Sequence, residues 1–215
     1  MGTDMSGFLE YRASQDGRDA VWYGAHDLDS LNDVRNYDAF GCLFGVRNYA
    51  NFRPLAAGRG LPPDVSAALS AQFTQLTEWY SEDGVHGATW ITWAEVKAVD
   101  WDEAAEKPDS RLHEYRRTHA GLRMTGKAAW SAAFAEAVGL ERGEEREWAE
   151  GSEWLIRDTV YRSVILRRRD AVTDTGEWQP VWRAMEALAA QHGDDNVRWS
   201  CGSTTEQVAA TAPGR

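Results

Sequence analysis

Two periodicities in the hydrophobic positions separate short strands from amphipathic helices along this chain. Met5–Tyr11 and Ala20–Ala25 carry β-favouring side chains on either side of the turn-prone segment S-Q-D-G-R-D, which predicts a β-hairpin. Apolar residues three and four apart then predict helices over Asp38–Val46 and Asp64–Tyr80. This order of elements indicates an α+β fold with a small, mainly antiparallel sheet and several packed helices.

The sharpest local signal is the tetrapeptide T-W-A-E at Thr92–Glu95. It fits the capping box, in which the Thr hydroxyl and the Glu carboxylate each accept a hydrogen bond from the other residue's backbone N–H at a helix start. The box predicts an extended segment over Thr89–Thr92 and a helix over Trp93–Val99.

The second half of the chain is predicted to be mostly helical. Trp154–Leu166 stays open between helix and strand, because its β-branched residues favour a strand and its length favours a helix. Gly193 gives the last helix a C-terminal stop. The predicted helices are Arg111–His119, Lys127–Val138, Glu141–Glu150 and Gln179–His192.

A chain of 215 residues is long enough for one sizeable domain or for two small ones. We predict a single α+β domain over residues 1–202, with the polar, acidic segment near 100–110 as the best place for a boundary or an insertion. Val197–Cys201 is predicted to be the closing strand, and residues 203–215 a frayed tail.

The charge balance limits the partners of the protein. With 23 Lys and Arg against 34 Asp and Glu, the formal net charge is −11, which argues against general nucleic-acid binding because most of the surface would repel phosphates. The same charge permits an acidic decoy or a protein that docks on a basic protein partner, although acidic surfaces commonly serve solubility alone. The 11 tryptophans suit a core, a ligand pocket or an interface.

Cysteine usage and hydropathy predict a cellular location. Cys42 and Cys201 are the only cysteines, so there is no disulfide framework, which suits a reducing compartment. The N-terminus lacks a basic and apolar leader, and no window approaches 18 consecutive apolar residues. We therefore expect a soluble, cytoplasmic protein with no membrane partner.

Several catalytic and metal-binding signatures fail on inspection. His113-Glu114 begins like the zinc motif HExxH, but Arg117 stands where the second histidine is needed. The aspartates from Asp27 to Asp33 lack the glycine that a calcium loop requires. The tripeptide D-T-G at Asp174–Gly176 lies between charged residues and is typical of a surface turn. We predict no metal and no cofactor.

The remaining candidate chemistry lies around a Gly/Pro-rich loop. Arg47, Arg53 and Arg59 flank this loop, and guanidinium groups bind phosphate or carboxylate through paired hydrogen bonds. His86 stands in the loop D-G-V-H-G just before Trp90, where an imidazole and an aromatic face could meet one ligand. Such arginines often pair only with surface acids, and a lone histidine is often structural. Our hypothesis is that Arg47, Arg59, His86 and Trp90 bind a small anionic or nucleotide-like ligand without chemistry.

A hydrolase is the alternative hypothesis. His86 would act as the base, and Asp4 or Asp83 would orient it. These three residues are the candidate catalytic residues, and the residue types alone leave open whether the protein is an enzyme.

Four sequence blocks in the first half of the chain are similar to those of a known protein family. They are M-G-T-D-M-S, R-N-Y-D-A-F-G-C-L-F-G-V-R-N, R-G-L-P-P-D-V-S and D-G-V-H-G-A-T-W-I-T-W-A-E-V. In order and spacing they resemble a family of uncharacterised proteins from actinobacteria and their phages, whose members open M-G-x-D-I-H. The resemblance implies a phage-type accessory setting and no mechanism. Ser6 stands where that family has histidine, and Val197–Cys201 replaces a strand ending F-D-N, so a metal site built from Asp4 and these positions loses two ligands.

Overall fold

A computed structural model describes residues 2–80, 84–142, 144, 146–173 and 175–205. The α+β class is confirmed, with two antiparallel four-stranded sheets in place of the one small sheet that the sequence predicts. The strands are β1 (Thr3–Ala13), β2 (Val21–Asp27), β3 (Val85–Thr92), β4 (Leu112–Thr118), β5 (Gly121–Ala128), β6 (Glu153–Ile156), β7 (Thr159–Arg162) and β8 (Val197–Thr205). The helices are α1 (Tyr37–Phe44), α2 (Ala67–Tyr80), α3 (Trp93–Lys97), α4 (Ala132–Val138), α5 (Arg168–Ala171) and α6 (Gln179–His192).

The first sheet has the strand order β2-β1-β8-β3, so the last strand of the chain lies near its centre. The predicted N-terminal hairpin is confirmed, because β1 and β2 pair antiparallel from Phe8 to Ala13. The predicted closing strand is longer than expected. Ser203–Thr205 pairs with β1 along its whole length and is no frayed tail, since a central strand has backbone partners on both sides. Residues 206–215 lie outside the described part of the chain.

Helices cover both faces of this sheet. On one face, Leu9 and Trp199 are buried in a core that includes Phe44 of α1 and Met185 of α6. On the other face lies α2, which buries Leu69 and Leu76 as its apolar spacing predicts. Ser66 caps this helix, because its Oγ accepts a hydrogen bond from the backbone N–H of Leu69 at 3.3 Å.

The second sheet corrects the sequence prediction for the middle of the chain. Its order is β5-β4-β7-β6, and β4 occupies Arg111–His119, which the sequence predicts as a helix. β5 ends at Ala128, so the helix predicted over Lys127–Val138 is present as α4 but begins only at Ala132. The turn between β4 and β5 ends at Gly121, whose φ of +113° suits glycine. Trp154–Leu166 forms strands at its start, and the described residues of Glu141–Glu150 form no helix.

A buried charge network joins the second sheet to α1. Asp109 is 5% exposed and accepts hydrogen bonds from Arg111 at 2.8 Å and from His113 at 3.2 Å. Asp38 of α1 pairs with both Arg111 and Lys127. Burial opposes ionisation of Asp109, but these donors hold its pKa well below the usual range. The network lies where the chain enters the second sheet at β4, beside the predicted boundary near residues 100–110.

The capping box at the start of α3 is confirmed. The Thr92 Oγ accepts from the Glu95 N–H at 3.2 Å, and the Glu95 carboxylate accepts from the Thr92 N–H at 2.9 Å. We expect Thr92→Ala to lower the free energy of unfolding by about 1 kcal/mol, because one helix N–H loses its acceptor. Thr92→Ser keeps the hydroxyl and should stay within a few tenths of a kcal/mol. Urea denaturation measures both, and equal stabilities for the Ala and Ser variants would contradict the cap.

The Asp109 network predicts a loss of stability in acid. Because the folded state lowers the Asp109 pKa, its contribution is present above the unfolded pKa of about 3.9 and is lost as the pH falls towards the folded value. Asp109→Asn should therefore destabilise the protein strongly at pH 7, and its deficit against the parent should shrink below about pH 4. Urea denaturation from pH 7 to pH 3 tests this, with the exposed Asp158→Asn as control. A deficit that does not change with pH would contradict it.

Candidate functional site

A bulge in β3 decides which predicted site residues meet. His86 lies opposite Ser203 of β8, and Trp90 lies opposite Ser200, with a register shift between His86 and Thr89. Side chains of directly opposite residues share a face, and positions three apart in one strand lie on opposite faces. His86 and Trp90 therefore point to opposite faces of the sheet. Gly87, at φ +64°, accommodates the extra residue of the bulge.

A chain of hydrogen bonds crosses three strands at the end of the sheet that carries His86. Nε of Arg47 donates to Oγ1 of Thr3 at 3.0 Å. Thr3 Oγ1 and Thr205 Oγ1 lie 3.2 Å apart, and Thr205 Oγ1 lies 2.8 Å from Nε2 of His86. The two hydroxyls thus link the guanidinium group to the imidazole ring.

The end of α1 aims Arg47 at this network. The helix stops at Gly45, which has the left-handed φ of +75°, and Arg47 itself has φ +52°. A non-glycine residue in this region costs about 1 kcal/mol or more and persists only where its surroundings enforce it. Arg47 NH1 also donates to the Tyr49 hydroxyl at 3.4 Å. The strained turn therefore holds the guanidinium in place beside β1.

These residues surround a cavity of about 400 Å³. Its lining combines one cation, one imidazole and one hydroxyl with backbone from the α1 turn and the β3 bulge. The residues that line it are Phe44, Gly45, Val46, Arg47, His86, Gly87 and Thr205.

Arg47 differs from the other arginines that are withdrawn from solvent. In the described part of the chain, the partly or fully buried arginines are Arg47, Arg111, Arg162, Arg168 and Arg198. The last four each pair with a carboxylate. Arg47 has only the hydroxyls of Thr3 and Tyr49 among the described residues.

The predicted pocket that joins Arg59, His86 and Trp90 is wrong, because the bulge separates Trp90 from His86. The G-R-G loop runs along the outer edge of β3, where the Gly60 N–H donates to the Ala88 carbonyl at 2.9 Å. There Arg59 pairs with Glu95 at 2.9 Å and lies 5.1 Å from the centre of the Trp90 ring. Burial opposes ionisation of Glu95, but Arg59 and Thr92 lower its pKa. Arg59 is thus held by the Glu95 carboxylate and by the Leu55 carbonyl.

The remaining predicted residues also lie apart from Arg47 and His86. Arg53 pairs with Glu103 at 3.2 Å. Asp4 lies opposite Thr204, on the face of β1 away from Thr3, and pairs with Arg35 at 2.5 Å. Asp4 therefore cannot orient His86 in this arrangement. Asp83 and Asp174 lie outside the described residues.

Sequence reasoning missed the two threonines of the network. Thr3 precedes the first predicted strand, and Thr205 falls in the segment predicted to be frayed. Single hydroxyl residues carry no periodic signal, so only the pairing of β1 with β8 reveals that they meet.

Both cysteines are poor candidates for nucleophilic chemistry. Burial raises the pKa of the Cys42 thiol to about 11, and the neighbouring Arg168 opposes this only in part. Burial also raises the pKa of Cys201, which is fully buried. Both remain protonated near neutral pH, and a thiol is a far weaker nucleophile than a thiolate.

Within the described residues, no group of three or more His, Cys, Asp or Glu side chains is arranged to hold a metal ion. No helix in that part of the chain has the length and apolar character needed to cross a membrane. Comparisons with protein-family models, with curated proteins and with solved structures give no match to this chain.

Proposed function

We propose that the protein binds a small anion, of the phosphate or carboxylate class, in the cavity lined by Arg47 and His86, and that it does so without chemistry. The observation that carries this proposal is the guanidinium of Arg47, which is partly buried and has no carboxylate partner among the described residues. The protein has a net charge of −11, so acidic side chains are in excess, yet this partly buried guanidinium pairs with none of them in the described part of the chain.

The energetics of Arg47 favour an external anion. Withdrawing a charge from water is costly unless an opposite charge and hydrogen bonds offset the cost. Two neutral hydroxyls fix the group, yet a guanidinium has about five N–H donors, so donors remain for a ligand. An anion bound through two of them would gain charge-assisted hydrogen bonds.

His86 completes the site as a second donor. Thr205 engages Nε2, and no residue in the described ranges engages Nδ1. The hydroxyl chain fixes the ring relative to Arg47, so the two groups form a preorganised pair. Preorganisation favours binding because less side-chain freedom is lost when the ligand arrives.

The position of Trp90 narrows the ligand class. A nucleotide-like ligand was predicted because Trp90 offered a stacking surface, and Trp90 lies on the other face of the sheet. Phe44 is the aromatic residue that lines the cavity, and its ring already packs edge-on against Trp199 at 4.7 Å. A phosphate or a small carboxylate therefore fits this site better than a nucleobase does.

The hydrolase alternative has less support, since Asp4 and His86 lie on opposite faces of the sheet. We also propose a cytoplasmic location and a phage-type accessory role. Charge, cysteine usage and the sequence resemblance support them. A role as an acidic decoy or protein-docking factor remains a separate prediction, and the net charge is its support.

Calorimetric titration with inorganic phosphate and with succinate, at constant ionic strength, tests the proposal. We expect saturable binding of at least one probe, and Arg47→Ala should weaken it about 10- to 100-fold, the range for losing a charged hydrogen-bond partner. Arg47→Lys keeps the positive charge but loses the paired N–H donors of the guanidinium group, so it should weaken anion binding less than Arg47→Ala does. Arg59→Ala is the matched control and should leave binding unchanged.

Two results would contradict the proposal. One is the absence of saturable binding of either probe to the parent protein. The other is an equal loss of binding in Arg59→Ala and Arg47→Ala. Thermal unfolding of each variant checks that the fold persists, so that a loss of binding is assigned to the site.

A further inference from the structure

A second cavity, of about 330 Å³, lies at the free edge of β1. Because β2 pairs with β1 only from Phe8 onward, no strand in the described part of the chain covers the outer edge of Thr3–Gly7. The segment that follows β2 and the C-terminal end of α2 form the sides of this cavity. It is separate from the cavity of Arg47 and His86, and no residue lines both.

Aromatic side chains form much of its lining. Phe40, Trp79, Tyr80 and Trp178 all line the cavity. Trp79 is 68% exposed, an unusual position for so large an apolar side chain. An aromatic surface of this kind attracts both apolar groups and cations.

Three carboxylates, those of Asp4, Asp29 and Asp33, line the same cavity. Asp4 is paired with Arg35, whereas Asp29 and Asp33 have no cation within 4.0 Å among the described residues. Partial burial raises the pKa of Asp29, and the charges of Asp27, Asp4 and Asp33 raise it further. A cation bound here would relieve this repulsion.

Two buried donors in the lining point to a ligand independently of the acids. Trp178 is 1% exposed, and its Nε1–H has no acceptor in the described part of the chain. Nδ2 of Asn32 is likewise buried without a partner there. A buried donor without an acceptor destabilises the folded state, because it has lost its hydrogen bonds to water. Both would be satisfied by a ligand that carries a hydrogen-bond acceptor.

We propose that this cavity binds a small organic ammonium compound that also carries an uncharged hydrogen-bond acceptor, the chemistry of amino-acid amides. The ammonium group pairs with Asp29 and Asp33, and the acceptor meets Trp178 and Asn32. The apolar part of the ligand packs against Trp79. A free carboxylate in the ligand would be repelled by the acids.

The acids are not arranged as a metal site. No set of three potential ligands for a metal ion is found among the described residues, this cavity included. Aromatic surface beside carboxylates suits an organic cation, which gains from ion pairing and from the ring faces together. The lining therefore fits an organic ammonium ligand better than a hydrated divalent metal ion.

The test is an NMR titration of protein labelled with ¹⁵N at tryptophan, with assigned indole N–H signals. The probe is leucinamide, which has the ammonium, the amide acceptor and an apolar side chain. We expect saturable shifts of the Trp79 and Trp178 signals, with the Trp178 N–H moving downfield as it gains an acceptor. N-acetylleucinamide lacks the cation and isopentylamine lacks the acceptor, so both should bind at least about tenfold more weakly.

Asp29→Asn should weaken leucinamide binding about tenfold or more, because it removes one charge without changing the shape of the side chain. Asp19→Asn makes the same change in the exposed loop between β1 and β2 and should bind as the parent does. An unchanged indole spectrum in the free variant confirms that its fold is intact. The proposal is overturned if leucinamide causes no saturable shift, if N-acetylleucinamide binds equally well, or if Asp29→Asn has no effect.

Discussion

A buried ion pair between Glu10 and Arg198 joins the two ends of the chain. Glu10 is 0% exposed and Arg198 is 3% exposed, and Nε of Arg198 donates to the carboxylate at 2.8 Å. The carboxylate also accepts from the Ser200 hydroxyl and from the Ser66 N–H, both at 2.7 Å. Such a pair offsets its desolvation cost only when every charged atom is satisfied, and removing one partner leaves an uncompensated buried charge. Arg198 additionally donates to Asp64, just before α2. The pair therefore links β1, β8 and α2.

The two proposed sites depend on the register that this pair holds. With Glu10 opposite Arg198, Thr3 falls opposite Thr205 and Asp4 opposite Thr204. A slip of one residue would send each of these side chains to the other face. Thr3 and Thr205 would then no longer link Arg47 to His86, and Asp4 would leave the edge cavity. The two proposed sites, one for an anion and one for an ammonium compound, thus depend on the same pairing of β1 with β8.

Structural features formed by residues close in sequence could be predicted, and features that depend on pairing between distant strands could not. The hairpin of β1 and β2, the capping box at Thr92 and the helix Gln179–His192 each involve residues close in sequence, and all three are present. The second sheet was missed because β4 and β5 contain residues that also suit helices, and only cross-strand partners decide between the two. His86 and Trp90 are four residues apart and would share a face in a regular strand, but the bulge in β3 places them on opposite faces. No periodic pattern reports a bulge, so the sequence could not show that Arg47 and His86 line one cavity while Arg59 and Trp90 lie elsewhere.

A double-mutant cycle on the buried pair tests the central claim that Glu10 and Arg198 hold β1 and β8 in register. The variants are Glu10→Gln, Arg198→Met and the double substitution, each measured by urea denaturation. Either single change should cost about 3–5 kcal/mol, because Arg198→Met leaves the Glu10 charge buried without a cation, and Glu10→Gln leaves Arg198 only the largely exposed carboxylate of Asp64. The double variant should cost clearly less than the sum of the two, by about 1.5 kcal/mol or more. Strictly additive costs would show that the two residues act independently and would contradict the account.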